Sequence, residues 1–381
     1  MKVAYFALSE VYGGNDAGFV HAHSVTYFLK KAGVDVTFFI GAPQERAEAD
    51  VNTVFVKIPR LSNIFRVNPI SFFRSFFEVR KKLVGVDIVH ERFHVNPIDL
   101  VFLGKRKYVL EVNDPAIELS CGLKKVFYRW LVRMKYNRAD AIIVQTETLK
   151  KIVSRHTDNP IYVVPNGVDT SRFRPDVKSD FRKKYGFSKS DVVVTFVGSF
   201  REWHGVLDVV GMARRIPNAI FVLVGEGKLF DEVKRASSGL KNLILTRAVD
   251  YDEIPGIMAN SDVLIAPFNN RGFRQLDEYG FWWCPVKLFE YMASGKPVVS
   301  YDFPEVRKIV NDGGLLAKPG DLDEFVGMVE RLVRSKDSRL KLGGLASRRA
   351  RVNYSWESRV KEILRVYGAV LIKFKKYRFI E

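Results

Sequence analysis

Cysteine is scarce in this sequence: Cys121 and Cys284 are the only two among 381 residues. Two thiols make no disulfide framework, so the fold must rest on its apolar core, and a reducing cytoplasm is the expected compartment. Long apolar runs are absent as well. Nowhere do about 18 apolar residues follow one another, which excludes a helix crossing a bilayer. The apolar stretch Val3–Leu8 is too short for a secretory leader and reads as a first β-strand. No low-complexity tract occurs. A composition of 47% hydrophobic and 27% charged residues is that of a globular protein, long enough for two domains. Acidic residues are also in short supply, 43 against 61 Lys and Arg, for a net charge of +18. Residues 1–165 carry +8, residues 331–381 carry +11, and the segment between is close to neutral. Such a balance favours anionic partners: nucleotide phosphates, lipid surfaces or nucleic acid. A solvated helix surface explains the basic C-terminus equally well.

Short apolar runs alternate with longer helical patterns. Val3–Leu8, Asp35–Ile40, Val86–Val89, Lys107–Val112 and Ala141–Val144 read as strands, with a helix near Val20–Ala32. The pattern restarts after Pro165-Asn166-Gly167, with strands at Val192–Val197, Ala219–Val224, Asp262–Pro267 and Pro297–Tyr301. Alternation of this kind means βαβ units and parallel sheets, hence two doubly wound α/β domains hinged at Asn166-Gly167. In such folds ligands bind at the carboxyl ends of the strands.

Several motifs could carry chemistry. Gly13-Gly14, between the first strand and its helix, could be a ligand loop or simply a tight turn. His90-Glu91-Arg92-Phe93-His94 matches the HExxH zinc pattern, but it follows a strand directly and Asn96-Pro97 interrupts any helix. Asp250-Tyr251-Asp252 could chelate a metal beside a diphosphate, but it also sits where helix caps favour Asp. Gly198-Ser199-Phe200-Arg201-Glu202-Trp203-His204-Gly205 lies between a strand and a helix. That is a phosphate-cradle arrangement, with Arg201 and His204 as nearby cationic groups. A helix near 286–294 should end at Gly295 and place Lys287 and Glu290 on one face. An exposed ion pair is the plain reading. The functional one sets Lys287 on a phosphate and Glu290 on a ribose hydroxyl.

In this order these segments resemble the retaining glycosyltransferases of family four. The resemblance rests on "ADAIIVQTETLKKIV" (139–153), "VVPNGVDTSRFRP" (163–175), "FVGSFREWHGV" (196–206), "VLVGEG" (222–227), "SDVLIAPF" (261–268), "PVKLFEYMASGKPVV" (285–299) and "YSWESRVKEILRVY" (354–367). It implies a GT-B fold, two Rossmann-like domains facing each other across a cleft. Residues 1–165 would bind the acceptor and 166–364 the nucleotide sugar, with a C-terminal helix, 365–381, packing back on the first domain. Implied on the donor side are Arg201, Lys287 and Glu290 as catalytic residues, with Gly198, Ser199, His204, Gly225, Glu226, Gly227, Pro267 and Leu288 around the donor. Gly13, Gly14, His21, Glu91 and Asn113 are implied on the acceptor side. Ser199 and His204 stand where many members have Arg and Lys, Trp282 where many have a further Glu, and Asn113 where the active-site His is usual. No metal or cofactor is implied. The partners are a UDP- or GDP-sugar and a hydroxyl acceptor that could be lipid-linked, with nucleic acid not among them. Two other classes stay open on the residues alone: a zinc hydrolase on His90 and His94, and a non-catalytic basic binder of lipid or nucleic acid.

Attachment to the inner face of the membrane is a further expectation. Ile70–Val84 gathers Phe72, Phe73, Phe76, Phe77, Val79, Leu83 and Val84 on a broad apolar face near cations, and "KFKKYRFIE" (373–381) is strongly basic. Packing into a domain core would use the same apolar face.

Overall fold

The computed structural model describes residues 1–13, 17–42, 49–56, 77–95, 100–119, 124–269 and 273–377. The chain divides into two compact units. Unit 1 comprises Met1–Pro165, Trp282–Cys284 and Trp356–Glu381; unit 2 comprises Asn166–Phe281 and Pro285–Ser355. The return to unit 1 therefore starts at Trp356, ahead of the residue 365 suggested by the sequence.

Unit 1 is built on a seven-stranded sheet of order β3-β2-β1-β4-β5-β6-β7. Its strands are β1 (Lys2–Val11), β2 (Asp35–Gly41), β3 (Thr53–Val56), β4 (Ile88–Arg92), β5 (Lys107–Val112), β6 (Ala141–Val144) and β7 (Ile161–Val163). Unit 2 holds a six-stranded sheet of order β10-β9-β8-β11-β12-β13. These strands are β8 (Val193–Val197), β9 (Ile220–Val224), β10 (Leu243–Leu245), β11 (Val263–Ala266), β12 (Val298–Tyr301) and β13 (Gly314–Ala317). Every described pairing is parallel. Residues of β6 and β8 are buried throughout, as expected for strands covered on both faces. In both sheets the order reverses beside the first strand, at β1/β4 and β8/β11. Ligands of doubly wound folds bind outside the strand ends at such reversals.

Five helices matter below: α1 (Ala17–Lys31), α2 (Lys124–Arg138), α3 (Val206–Arg215), α4 (Val286–Ala293) and α5 (Trp356–Tyr377). Helices α1 and α5 share one core with β1 and β2, in which Trp356, Val360, Ile363, Val366 and Tyr367 pack with Val25, Phe28, Tyr5 and Phe38. The other sheet face carries α2. Alternation along β4 makes this concrete: the His90 ring meets the Tyr367 hydroxyl on α5 at 2.7 Å, while the next residue, Glu91, meets Lys135 on α2 at 2.5 Å.

Of the Phe-rich segment 70–84, residues 70–76 lie outside the described residues. Within the rest, Val79 and Leu83 are buried, whereas Phe77 and Val84 are 58% and 75% exposed. In the basic tail the helix runs to Tyr377 and residues 378–381 lie outside the described residues. No described helix is long and apolar enough to cross a membrane.

Candidate active site

Strand β8 delivers the chain to Gly198, whose φ of +143° is open to glycine and strained for other residues. A Cβ there would also fall on the Lys287 ammonium. From Gly198 the loop is laced to the turn after β9. Gly198 N–H donates to the Val224 carbonyl (2.9 Å), Phe200 N–H to that of Glu226 (2.8 Å), and Leu229 N–H to that of Phe200 (3.1 Å). Gly205, at φ +63°, ends a 3₁₀ turn over Glu202–His204 and leads into α3. A side chain on it would collide with the Pro267 carbonyl, just beyond β11. The loops after β8, β9 and β11 thus form one backbone cradle at the strand-order reversal of unit 2. Gly198, Ser199, His204, Gly225, Glu226, Gly227 and Pro267 all belong to it.

Helix α4 supplies the charges. Leu288, Phe289, Tyr291 and Met292 are buried on it, and Gly295 (φ +70°) turns the chain toward β12. Lys287 and Glu290, three residues apart, share a face. The Lys287 ammonium lies 4.4 Å from the Phe196 ring centroid and 5.6 Å from that of Phe268. It is shielded from solvent and has no hydrogen-bond partner among the described residues. Burial pushes its pKa down to about 7, against the attraction of Glu290. Glu290, 7% exposed, accepts a 2.9 Å hydrogen bond from the Tyr251 hydroxyl. Burial pushes its carboxyl up to about 7, with Tyr251, Lys287 and Arg172 opposing. Over the Tyr251 ring, at 4.2 Å, lies the guanidinium of Arg172, which also pairs with Asp252 at 2.5 Å.

His204 differs from the cation expected in that place. Burial, then Lys287 and Arg201, push it down to about 3, although the Ser199 carbonyl favours its charge. The neutral ring has Nδ1 at 2.5 Å from that carbonyl, so Nδ1–H donates there and Nε2 is left as an acceptor. Arg201 is exposed and stacks on Trp203, its guanidinium 5.4 Å from the ring centroid. Leu288 is wholly buried, so its side chain is out of reach of a ligand. Sequence reasoning overlooked Tyr251 and Arg172. Asp250-Tyr251-Asp252 was read for its carboxylates, yet its tyrosine is the residue that reaches Glu290.

In unit 1 the residues gather around Glu111, near the end of β5. His21 Nε2 on α1 is 2.7 Å from its carboxylate, Arg92 3.3 Å, and the hydroxyl of Tyr5 and amide of Gln145 donate to it at 3.1 and 2.9 Å. Burial alone would raise the Glu111 carboxyl, but His21, His90 and Arg92 hold it well below the usual carboxylate range. Asn113 joins this network through Gln145. Gly13 ends the described turn after β1, and Gly14 lies outside the described residues. Glu91 is separated from the group. It is fully buried on the opposite sheet face, between Lys135 and the Tyr108 hydroxyl (each 2.5 Å), which makes it part of the fold's interior rather than an acceptor contact. The HExxH reading is overturned as well. Because His90 sits within β4, it and His94 do not share a helical face, and His90 is engaged by Tyr367. Among the described residues no three His, Cys, Asp or Glu are grouped to hold a metal ion.

Comparison with known proteins assigns residues 18–172 to Glycosyltransferase Family 4 and residues 191–335 to Glycosyl transferases group 1. An uncharacterized glycosyltransferase of Methanocaldococcus jannaschii is 22% identical over 327 residues, 80% of this chain and 79% of that one. A GDP-mannose-dependent α-(1-6)-phosphatidylinositol monomannoside mannosyltransferase of Mycolicibacterium smegmatis is 28% identical over 206 residues, 51% of this chain and 53% of that one. Among solved structures, sucrose-phosphate synthase from Thermosynechococcus elongatus superposes with a TM-score of 0.77 at 16% identity, covering 98% of this chain and 100% of that one.

Proposed function

The chain belongs to glycosyltransferase family 4 and has its two-domain GT-B architecture; on that premise we propose a retaining enzyme that moves a sugar from a UDP- or GDP-sugar to a lipid-borne hydroxyl acceptor. One observation carries the donor reading: a buried ammonium, Lys287, with no hydrogen-bond partner among the described residues, set against a glycine that leaves room for it. A buried ammonium with no hydrogen-bonded acceptor is costly even with Glu290 on the same helix face, and a diphosphate would supply the acceptor oxygens and further negative charge. Glu290, anchored by Tyr251, would take the ribose hydroxyls, and Arg201 would meet the phosphates from the cradle's rim.

In the proposed reaction the bond from the anomeric carbon to the distal phosphate oxygen breaks. That oxygen takes the bonding pair, and Lys287 offsets the growing negative charge. The acceptor hydroxyl enters on the same face of the sugar, and its proton passes to the departing phosphate oxygen. No protein carboxylate need act as a nucleophile, and no metal is part of the scheme. In unit 1, Gly13, Gly14, His21 and Asn113 would position the acceptor. A lipid-borne acceptor, with peripheral attachment to the membrane, is supported by the M. smegmatis relative, which is named for a phosphatidylinositol monomannoside, and by the net charge of +18.

Thermal unfolding with UDP, GDP, ADP and their sugar conjugates tests the donor reading. One nucleotide should stabilise the protein, and its Glu290→Ala variant should lose the effect. Stabilisation by none of them would refute it.

A further inference from the structure

Helix α2 carries six Lys or Arg residues and no Asp or Glu. One flank seats it on the sheet, with Leu131, Val132, Lys135 and Tyr136 all 3% exposed or less. The other flank is not polar. Val126 is 73% exposed, Phe127 52%, Trp130 57% and Met134 38%. At 3.6 residues per turn these four fall within roughly a third of the helix circumference. Arg129 and Arg133, both exposed, run along one edge of that sector. The rings of Phe127 and Trp130 stack on each other at 6.1 Å, facing outward together rather than folding back on the sheet.

Four large apolar side chains held in water are costly unless something covers them. We propose that α2 is a docking surface for an anionic lipid bilayer. Charge decides the occupant. The apolar stripe is edged by cations and by no carboxylate of its own helix, and its two aromatics include Trp, which suits the interface between headgroups and acyl chains. A second copy of the chain would set the arginines of α2 against other cations of a +18 protein. The proposal rests on the lipid-borne acceptor above and assigns the surface that brings the enzyme to it.

The test is co-sedimentation at low salt with vesicles of mixed phosphatidylserine and phosphatidylcholine, and with pure phosphatidylcholine. The protein should pellet with the mixed vesicles and much less with the neutral ones. Arg129→Glu with Arg133→Glu should lower partitioning at least tenfold, since each cation near an anionic surface contributes about fivefold. Phe127→Ser with Trp130→Ser should lower it by a comparable factor at any salt concentration. Both double variants should keep the parent's melting temperature and its stabilisation by nucleotide. A parent protein that stays in the supernatant overturns the proposal, as do variants that pellet like the parent. A parent dimer that the serine variant converts to monomer overturns it too, by showing that a second copy covers the stripe. Failure of nucleotides to stabilise the parent would count against the donor reading and leave the vesicle result to be judged alone.

Discussion

Replacing Lys287 by methionine should make the protein more stable and less able to bind its donor. Methionine keeps the unbranched apolar stem against Phe196 and Phe268 and removes an ammonium that has no hydrogen-bond partner among the described residues. Lowering an ammonium from 10.5 to about 7 costs the fold about 5 kcal/mol while the group is fully charged. The sign follows from proton linkage. Between pH 7 and 10.5 the unfolded chain holds the Lys287 proton and the folded one releases it, so the penalty is complete below pH 7 and fades as pH rises to about 10. Relaxation of the site and the attraction of Glu290 reduce what a variant recovers. A gain of roughly 2 kcal/mol at pH 7 is expected, or about 4–8 °C in melting temperature for a unit of this size. The same change removes a charge-assisted contact to phosphate worth about 1.5–3 kcal/mol, so nucleoside diphosphate should bind on the order of 10- to 150-fold more weakly. Thermal melts at pH 6, 7.5 and 9.5, each with and without UDP and GDP, read both effects. A variant less stable than the parent, with nucleotide binding unchanged, would refute the reasoning, because Lys287 would then be a satisfied structural residue.

Other substitutions separate the remaining roles. Tyr251→Phe removes the hydroxyl that anchors Glu290; donor KM should rise severalfold with kcat nearly unchanged, measured in a transfer assay with the identified donor. Donor kcat/KM should follow a bell centred near pH 7, falling on the acid side as Glu290 protonates and on the alkaline side as Lys287 loses its proton; a profile flat from pH 5.5 to 9 would contradict both assignments. Gly198→Ala should abolish nucleotide-induced stabilisation, since its methyl group displaces the Lys287 ammonium. Glu91→Gln should destabilise unit 1 by about 3–5 kcal/mol by removing the buried charge that pairs with Lys135, while leaving acceptor KM within twofold in the folded enzyme; a large KM change at unchanged stability would return Glu91 to the acceptor site.

Where the sequence was readable, it was readable for a physical reason. Ala141–Val144 matches β6 end to end because a fully buried parallel strand is a continuous apolar run, and Lys107–Val112 matches β5 through its buried apolar centre Tyr108–Leu110. Strands β3, β7, β10 and β13 have three or four residues each and are mostly only partly buried, so they lack the wholly buried apolar run that marks β6. Val86–Val89 was placed two residues early. The actual strand ends in His90-Glu91-Arg92, of which His90 and Glu91 are buried because distant partners meet them, Tyr367 lying 277 positions from His90 and Lys135 44 from Glu91. The site divides in the same way. Lys287 and Glu290 could be paired from helical spacing, whereas Tyr251 reaches Glu290 across 39 residues and left no local sign. His204 could be located but not its charge, which depends on burial. Helix α2 gave no warning at all, since basic and apolar residues are mixed along it and only the packing of its neighbours decides which face remains in water.

The return of α5 to unit 1 has a consequence for how the polypeptide is made. The core around Tyr5, Val25 and Phe38 includes Trp356, Ile363 and Tyr367, so strands made before unit 2 are completed by a helix made after it. Unit 2, apart from the insertion Trp282–Cys284, is continuous from Asn166 to Ser355 and can close while the ribosome is still translating. At about 5–20 residues per second, the face of the first sheet that α5 covers stays open for roughly 10–40 s after Pro165 is joined. During that interval His90 lacks the Tyr367 hydroxyl that meets its ring in the finished fold. A nascent chain stalled before Trp356 would carry a finished unit 2 and an unsealed unit 1, and would be a natural client for chaperones that recognise exposed apolar strands.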